Sequence, residues 1–411
     1  MRGPRMSRPR LVLVGAGTRT YREYLLRAAA AGYDLWLFSD RELGWEAPHL
    51  AGHTRLDTAD VEAMTVPAKA LNPAGVLTWD DTRVVHAAAL AEALGLPTSP
   101  PDAVLRCRDK HLTRTALRHA GVPQARSTLV TSLAEARAAA TEIGYPLVLK
   151  PRALNASMGV VRVDAPEQLA SRFRIARGAS LPGVTEPGGV LVEEYLDGPE
   201  ISVDAGWYGG GMSLAFVARK QLGFAPYFEE VGHVVDGNDP LLDDPELRGV
   251  LVAAHEAVGF HTGWTHTEVR LTSTGPRIVE INARVGGDRI PEVGRLAVGI
   301  DAASAAAAIA CGREPPMQPS LRRVAAVRFR YPDRDVIARA VHVDRARMPA
   351  TVHSAEAVAM PGQELRLPPA GHVSGRYALL TAAADTLQQC VAGLDAAAAA
   401  VRLEVLRPLP R

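Results

Sequence analysis

Short apolar runs alternate with helical spacing from the start of the chain. Leu11-Val-Leu-Val-Gly-Ala-Gly17 is continuously apolar up to its glycines, which predicts a buried parallel strand running into a turn. Residues 21–32 have helical spacing, and Asp34-Leu-Trp-Leu-Phe-Ser-Asp40 supplies a second strand, so the chain opens with a βαβ unit. A further strand is predicted at 75–79 and its helix at 87–94, ending at Gly95. Leu96-Pro-Thr-Ser-Pro-Pro101 then punctuates the chain before a helix that begins near Asp102. A first domain is therefore expected over residues 1–105.

Beyond it the pattern predicts a helix at 108–120, a strand at Leu147-Val-Leu-Lys-Pro151 and another at 160–163 after a loop of small residues. Residues 181–189 read as an exposed loop, and 190–195 and 201–208 as strands bracketing an Asp-Gly-Pro turn. Past Gly312, Arg313-Glu-Pro-Pro-Met-Gln-Pro-Ser320 is a linker by composition. Strands at 324–329, 336–343 and 376–381 and an alanine-rich helix at 384–401 complete the chain, with no internal repeat. The fold class is a combination of α/β and α+β.

Length and composition agree with several cores. A chain of 411 residues predicts two or three domains, and 47% hydrophobic against 22% charged residues excludes both wholesale disorder and a disulfide-stapled miniprotein. With 46 basic and 45 acidic residues the net charge is +1, so no global field draws the protein to nucleic acid or an anionic membrane, and any anion binding must be local. Cys107, Cys311 and Cys390 are odd in number and widely spread, which fits packed thiols better than disulfides or zinc. The basic stretch at 1–10 reads as a frayed or alternative start, since the apolar run after it is too short for a signal-peptide core, and no stretch reaches the length of a membrane span. A soluble cytoplasmic protein is expected.

Only Lys69, Lys110, Lys150 and Lys220 are lysines; every other basic residue is arginine. A lysine retained in such a chain invites a role as a compact ammonium. A dinucleotide site is disfavoured, because Gly15-Ala-Gly17 is followed by Thr18, Arg19 and Thr20 and lacks the third glycine of G-x-G-x-x-G, although Asp40 ends the second strand as that reading needs. The most informative stretch runs from His266 to Arg284, two strands joined by Ser-Thr-Gly. With period two, His266, Glu268 and Arg270 share one face of the first strand, and Glu280, Asn282 and Arg284 one face of the second, while Val279, Ile281 and Ala283 point the other way. If the two polar faces coincide, two carboxylates and an amide oxygen gather as hard ligands of the kind Mg²⁺ takes beside phosphates. The competing reading is an exposed strand with cross-strand ion pairs. Gly286 and Gly287, just after, would let backbone approach a ligand. Lys110 and Lys150 have contexts suited to anions, the second with a flexible loop at Ser157-Met-Gly159 whose N–H groups can cap a phosphate.

Taken in order, Arg108-Asp-Lys110, Leu149-Lys-Pro151 with Ser157-Met-Gly159, Val192-Glu-Glu-Tyr-Leu-Asp-Gly-Pro-Glu200, His266-Thr-Glu268 and Glu280-Ile-Asn-Ala-Arg284 resemble the motifs of the ATP-grasp superfamily of carboxylate-amine ligases over residues 10–400. The resemblance implies an N-terminal Rossmann-like pre-ATP-grasp domain (1–105), an ATP-grasp core (106–315) and a C-terminal lid-side α+β domain (316–411). It implies ATP and Mg²⁺, with Mn²⁺ as an alternative ion. Lys110 and Lys150 would contact phosphates, with Ser157, Met158 and Gly159 closing over them. The backbone of the linker at Glu193, Glu194 and Leu196 would read the adenine, Glu193 facing its amino group and Leu196 its ring nitrogen, and Glu200 would take the ribose hydroxyls. Glu268, Glu280 and Asn282 would hold metal. Arg284 would steady an acyl phosphate or a substrate carboxylate, with Arg270 beside it on the catalytic face. Lys220 would either reach the γ-phosphate or stand at the surface.

Glu230-Val-Gly-His233 is similar to the substrate segment of bacterial L-amino-acid ligases of the bacilysin-synthetase type, so Glu230 and His233, taken as loop residues, would bind an α-amino or carboxylate group. The expected activity is ATP-dependent amide formation between small-molecule carboxylate and amine substrates, with no nucleic acid or membrane partner. Homodimers are common among enzymes of this resemblance. The alternatives are a biotin-carboxylase-like or purine-pathway enzyme and a non-catalytic ATP-binding protein. Trp79, Trp207 and Trp264 are expected in the core.

Overall fold

The computed structural model describes residues 8–181, 184 and 187–410. Most of the basic stretch at 1–10 and part of the expected loop at 181–189 lie outside the described residues. The N-terminal unit is built from β1 (Arg10–Val14), α1 (Arg19–Gly32), β2 (Asp34–Ser39), β3 (Gly52–Arg55), α2 (Val61–Leu71), β4 (Gly75–Leu77) and α3 (Val84–Ala93). Its parallel sheet has the order β3-β2-β1-β4. Leu11, Val12, Leu13 and Val14 are all fully buried, because a central parallel strand is covered on both faces. The strand order reverses between β1 and β4, so the carboxyl ends of those two strands open a crevice.

Two helices follow, α4 (Pro101–Arg108) and α5 (Lys110–His119), where one was expected to begin near Asp102 and another to span 108–120. The break is Asp109, whose carboxylate caps α5 by accepting from the N–H groups of His111 and Leu112. A small antiparallel sheet comes next, made of β5 (Ser127–Val130), β6 (Leu147–Pro151), β7 (Val161–Val163) and β8 (Val190–Glu194) in the order β5-β8-β6-β7. One side of it buries Leu147, Leu149, Val161 and Val192 against α6 (Leu133–Ile143) and α7 (Pro166–Gly178).

The remaining elements are β9 (Glu200–Tyr208), β10 (Gly211–Gly223), β11 (Glu229–Asp236), α8 (Pro245–Val258), β12 (Gly263–Thr272), β13 (Gly275–Asn282), α9 (Ile290–Val298), α10 (Ala302–Ala310), β14 (Val324–Arg330), β15 (Val336–Val343), β16 (Val352–Ala357), β17 (Glu364–Leu365), β18 (Ala378–Ala384), α11 (Leu387–Ala399) and β19 (Val401–Pro408). Eight strands form one antiparallel sheet, β13-β12-β9-β10-β11-β14-β18-β16, and β17-β15-β19 form a small separate one. Coil after α10 leads into β14, which continues the large sheet.

The largest core joins the N-terminal unit to this sheet. Leu11, Leu13 and Leu25 share one cluster with Phe216, Val293, Ala303 and Ile309, so α9 and α10 are the layer between the two sheets. Trp79, Trp207 and Trp264 are buried, as expected. All three cysteines are free thiols. Among the described residues no single helix is long and apolar enough to cross a membrane; α9 and α10 are apolar but packed inside this core.

Two expectations are corrected here. Glu230 and His233 lie on β11, not on a loop, and β11 is held on both sides by β10 and β14. Arg284 lies beyond the end of β13, so it does not continue that strand's face.

Gly294 shows how close the central layer is. A Cβ there would sit 2.4 Å from Phe216 Cε1. Gly294→Ala should therefore destabilise the protein by about 1–3 kcal/mol through overpacking, read as a lower midpoint in chemical denaturation; an unchanged midpoint would show that the layer can yield.

Candidate functional site

The two antiparallel sheets and the crevice of the N-terminal unit enclose a cleft of about 600 Å³. Its floor is the hairpin β12–β13. His266 pairs with Asn282 and Glu268 with Glu280, so the expected polar faces do coincide and two carboxylates stand opposite each other. A β-bulge follows between Glu268 and Val269, after which Val269 pairs with Ile278. This corrects one detail: Ile278, not Val279, packs into the core with Ile281, and Val279 faces the cleft, because the extra residue shifts the alternation by one.

The carboxylates are held apart by cations from elsewhere. Lys110, the first residue of α5, places Nζ 3.0 Å from Glu280 Oε1 and donates to the Leu154 carbonyl at 2.7 Å. The cap at Asp109 aims it, and Arg152 Nε at 2.7 Å anchors that cap. Against the penalty of burial, Lys110 and Lys150 hold the Glu280 carboxyl below its ordinary range. Glu268 is raised instead: burial disfavours its charge and Glu280, Glu200 and Glu230 add repulsion, with Lys220 opposing.

Lys150, on β6, has its ammonium 2.6 Å from Glu193 Oε2. Arg114, one turn along α5 from Lys110, reaches the same carboxylate at 2.7 and 3.1 Å and donates to the Ile278 and Val279 carbonyls. Burial works against the Glu193 charge, but Arg114 and then Lys150 hold its carboxyl down to about 2. The Glu193 carboxylate is thus an internal counter-ion for both cations. Arg114 was not anticipated, although its i, i+4 spacing from Lys110 places both on one helical face.

Lys220 is neither exposed nor on the cleft wall. Its side chain is 2% exposed, and Nζ lies 2.9, 2.7 and 2.9 Å from carboxylate oxygens of Glu200, Glu230 and Glu268. Arg270 pairs with the other oxygen of Glu200 at 2.7 Å. His233 is fully buried, with Nε2 3.4 Å from Glu230 Oε2 and 3.7 Å from Asp288 Oδ2. Those two carboxylates, favouring the imidazolium against burial, raise its pKa.

Of the remaining expected residues, Ser157, Glu194, Leu196, Glu230, Arg270, Asn282, Arg284 and Gly287 line the cleft together with Lys110, Lys150, Glu193, Glu200, Glu268 and Glu280. Met158, Gly159 and Gly286 do not. Gly286 is small for another reason: a Cβ there would lie 2.9 Å from His266 Nδ1, which itself faces Asp204 Oδ2 at 2.8 Å.

The N-terminal unit supplies groups that no motif announced. Asp81, just after β4, accepts from Arg284 Nε at 3.0 Å and lies 3.1 Å from Arg108 Nε. Burial opposes its charge, but Arg284 and Arg108 bring its carboxyl down to about 2. Arg22 of α1 donates to the Gly286 carbonyl at 3.0 Å. Arg376, before β18, forms a two-pronged pair with Asp288 at 2.8 and 2.8 Å and lies 3.7 Å over the Phe329 ring. These charges are far apart in sequence, which hid them.

Within this arrangement residues 143–292 match the family model described as ATP-grasp domain. An L-amino acid ligase from Bacillus licheniformis superposes with a TM-score of 0.79 at 20% identity, covering 97% of this chain and 99% of that one. The phosphoribosylglycinamide synthetase from Anaerococcus prevotii does so at 0.74 and 18%, covering 97% and 100%. By sequence, carnosine synthase 1 from Homo sapiens is 30% identical over 65% of this chain and 34% of its own length. The alanine–anticapsin ligase of Bacillus subtilis (strain 168) is 27% identical over 63% and 58%, and an uncharacterized protein, y4rH, of Sinorhizobium fredii is 28% identical over 68% and 59%. The chain thus spans less than two thirds of the length of these curated relatives.

Glu193 offers a direct test of the charge balance. Glu193→Gln leaves two buried cations without their anion and should lower stability at neutral pH by about 3–5 kcal/mol. Because the folded carboxyl titrates near 2, below its ordinary 4.5, its stabilisation is present at neutral pH and is lost as pH falls from above 4 through 2. Wild type should therefore lose stability over that window more steeply than the variant, measured by denaturant titration at several pH values; parallel slopes would contradict the assignment.

Proposed function

We propose that this chain is an ATP-dependent carboxylate–amine ligase that joins an amino acid or related carboxylate to an amine and releases ADP and phosphate. The observation that carries the reading is the opposed pair Glu268 and Glu280 in one cleft with Lys110 and Lys150. In the reaction a carboxylate oxygen takes the γ-phosphoryl group of ATP, giving an acyl phosphate and ADP. The amine nitrogen then attacks the acyl carbon, phosphate leaves with the C–O bond pair, and the nitrogen loses a proton.

The donor set fits a divalent cation. Glu268, Glu280 and Asn282 offer hard oxygens on one face, and the repulsion that raises Glu268 is what a bound cation would relieve. Mg²⁺ or Mn²⁺ held there would neutralise phosphate charge during transfer. Lys110 and Lys150 are placed to bind phosphate oxygens, exchanging their carboxylate partners for those of the nucleotide. The turn at Ser157, on the cleft wall, would cover the phosphates, and the segment from Glu193 to Leu196 would border the base. Glu200 borders the ribose side. Arg284, fixed by Asp81, presents its remaining N–H groups to an acyl oxygen. Glu230 and His233 would hold a charged group of the substrate.

In this reading residues 1–105 form the substrate-side wall, 106–315 bind the nucleotide and 316–411 close the lid side. The curated relative named alanine–anticapsin ligase supports the substrate class.

Incubation with ATP, Mg²⁺ and a broad panel of amino acids should release phosphate in an amino-acid-dependent way. Glu280→Gln should lower turnover by about 100-fold or more while calorimetric titration finds nucleotide binding retained. No amino-acid-dependent phosphate from any pair would refute the amino-acid version, and full activity of Glu280→Gln would refute the metal assignment.

A further inference from the structure

The cations around the cleft are not equivalent. Lys110, Lys150, Arg83, Arg114, Arg270 and Arg284 each have a carboxylate oxygen within 4.0 Å. Arg22, on the same wall, has none among the described residues; its single hydrogen bond is to the Gly286 carbonyl. Burial first, and then the like charge of Arg284, push the guanidinium down to about 10, with Tyr24, Asp80 and Asp81 opposing less strongly. A partly buried guanidinium beside a second one, lacking a counter-ion, is costly unless a ligand supplies the charge.

Its surroundings are shaped for that ligand. Arg22 lies in the first turn of α1, at the crevice where the strand order reverses. Thr18 caps this helix with no side-chain hydrogen bond, and no acidic residue occupies the first turn. Gly17, at φ 71°, leaves room for Arg22, since a Cβ there would sit 3.0 Å from Arg22 Cγ. Trp79, fully buried in the same wall, has an indole N–H without a partner.

We infer that Arg22, beside Arg284, binds the carboxylate of the amine-bearing substrate, so that the nucleophile is an amino-acid-like amine and not a plain alkylamine. This rests on the ligase reading above and specifies its second substrate. The choice between the two substrates follows from charge. The carboxylate that is activated loses its anionic character on becoming an acyl phosphate and belongs near Lys110, Lys150 and the hairpin. A carboxylate on the amine stays ionised through both half-reactions, and a fixed cation such as Arg22 can match it throughout. Four of the five N–H donors of Arg22 remain, enough for a two-pronged contact of the kind guanidinium makes with carboxylate.

The test uses the full chain with one donor amino acid held fixed and the amine offered either as a free amino acid or as its α-carboxamide, which cannot itself be activated. Arg22→Gln should raise KM for the free acid about 10- to 100-fold, with kcat little changed, and leave KM for the carboxamide and for ATP at wild-type values. Arg22→Lys should recover part of the loss, and it carries the comparison if thermal unfolding finds Arg22→Gln misfolded. Unchanged KM for the acid, or equal loss for acid and amide, would overturn the clamp, as would a loss confined to ATP or to the donor. A wild type that forms no product from any pair would overturn the ligase reading itself, whereas an active wild type with an indifferent Arg22→Gln overturns the clamp alone.

Discussion

Two carboxylates facing each other on a buried hairpin are the constraint on which the rest of the structure depends. Glu268 and Glu280 are register partners, so their separation is set by strand pairing and neither can turn away to solvent. Like charges at that range repel by several kcal/mol in a partly dehydrated site. The fold answers by bringing ammonium groups from other elements: Lys110 from the start of α5, Lys150 from β6 and Lys220 from β10. Each is in turn tied to a further carboxylate or carbonyl, so the site is a continuous alternation of charge.

That alternation also fastens the parts of the molecule together. Arg114 links α5 to β8 through Glu193 and to β13 through two carbonyls. Asp81 carries the N-terminal unit to Arg284 and Arg108. Arg376 joins the last part of the chain to Asp288 and, through the Tyr21 hydroxyl at 3.2 Å, to α1. The cleft is therefore walled by every major piece of the fold, and the apolar layer of α9 and α10 supplies the rigid backing that holds those pieces in register. The proposed reaction, which must position a nucleotide, a carboxylate and an amine at once, needs such a wall on each side.

Within this balance the exceptions carry the information. Lys220, surrounded by Glu200, Glu230 and Glu268, is the charge the apo site cannot spare, whereas Arg22 is the charge it does not use. Glu193 marks a third kind of residue, one whose carboxylate holds Lys150 and Arg114 in place.

The strands and helices around the motifs were legible in the sequence because their signals are local. The run at Leu11, the hairpin from His266 and the glycine and proline punctuation each depend on a few neighbouring residues. Period two alone put Glu268 and Glu280 on the polar faces of their strands, leaving their meeting to the strand pairing, and the scarcity of lysine drew attention to Lys110 and Lys150 before any contact was known. What local pattern could not reach was pairing between distant segments. The bulge that turns Val279 to the cleft, the place of Glu230 and His233 on an inner strand, the counter-ions Arg114 and Asp81, and the unmatched charge of Arg22 all depend on which elements pack together. Periodicity and side-chain chemistry fix what each segment offers; only tertiary packing decides which offers meet, because Coulomb and hydrogen-bond energies depend on separations of a few ångströms between residues that lie tens to hundreds of positions apart.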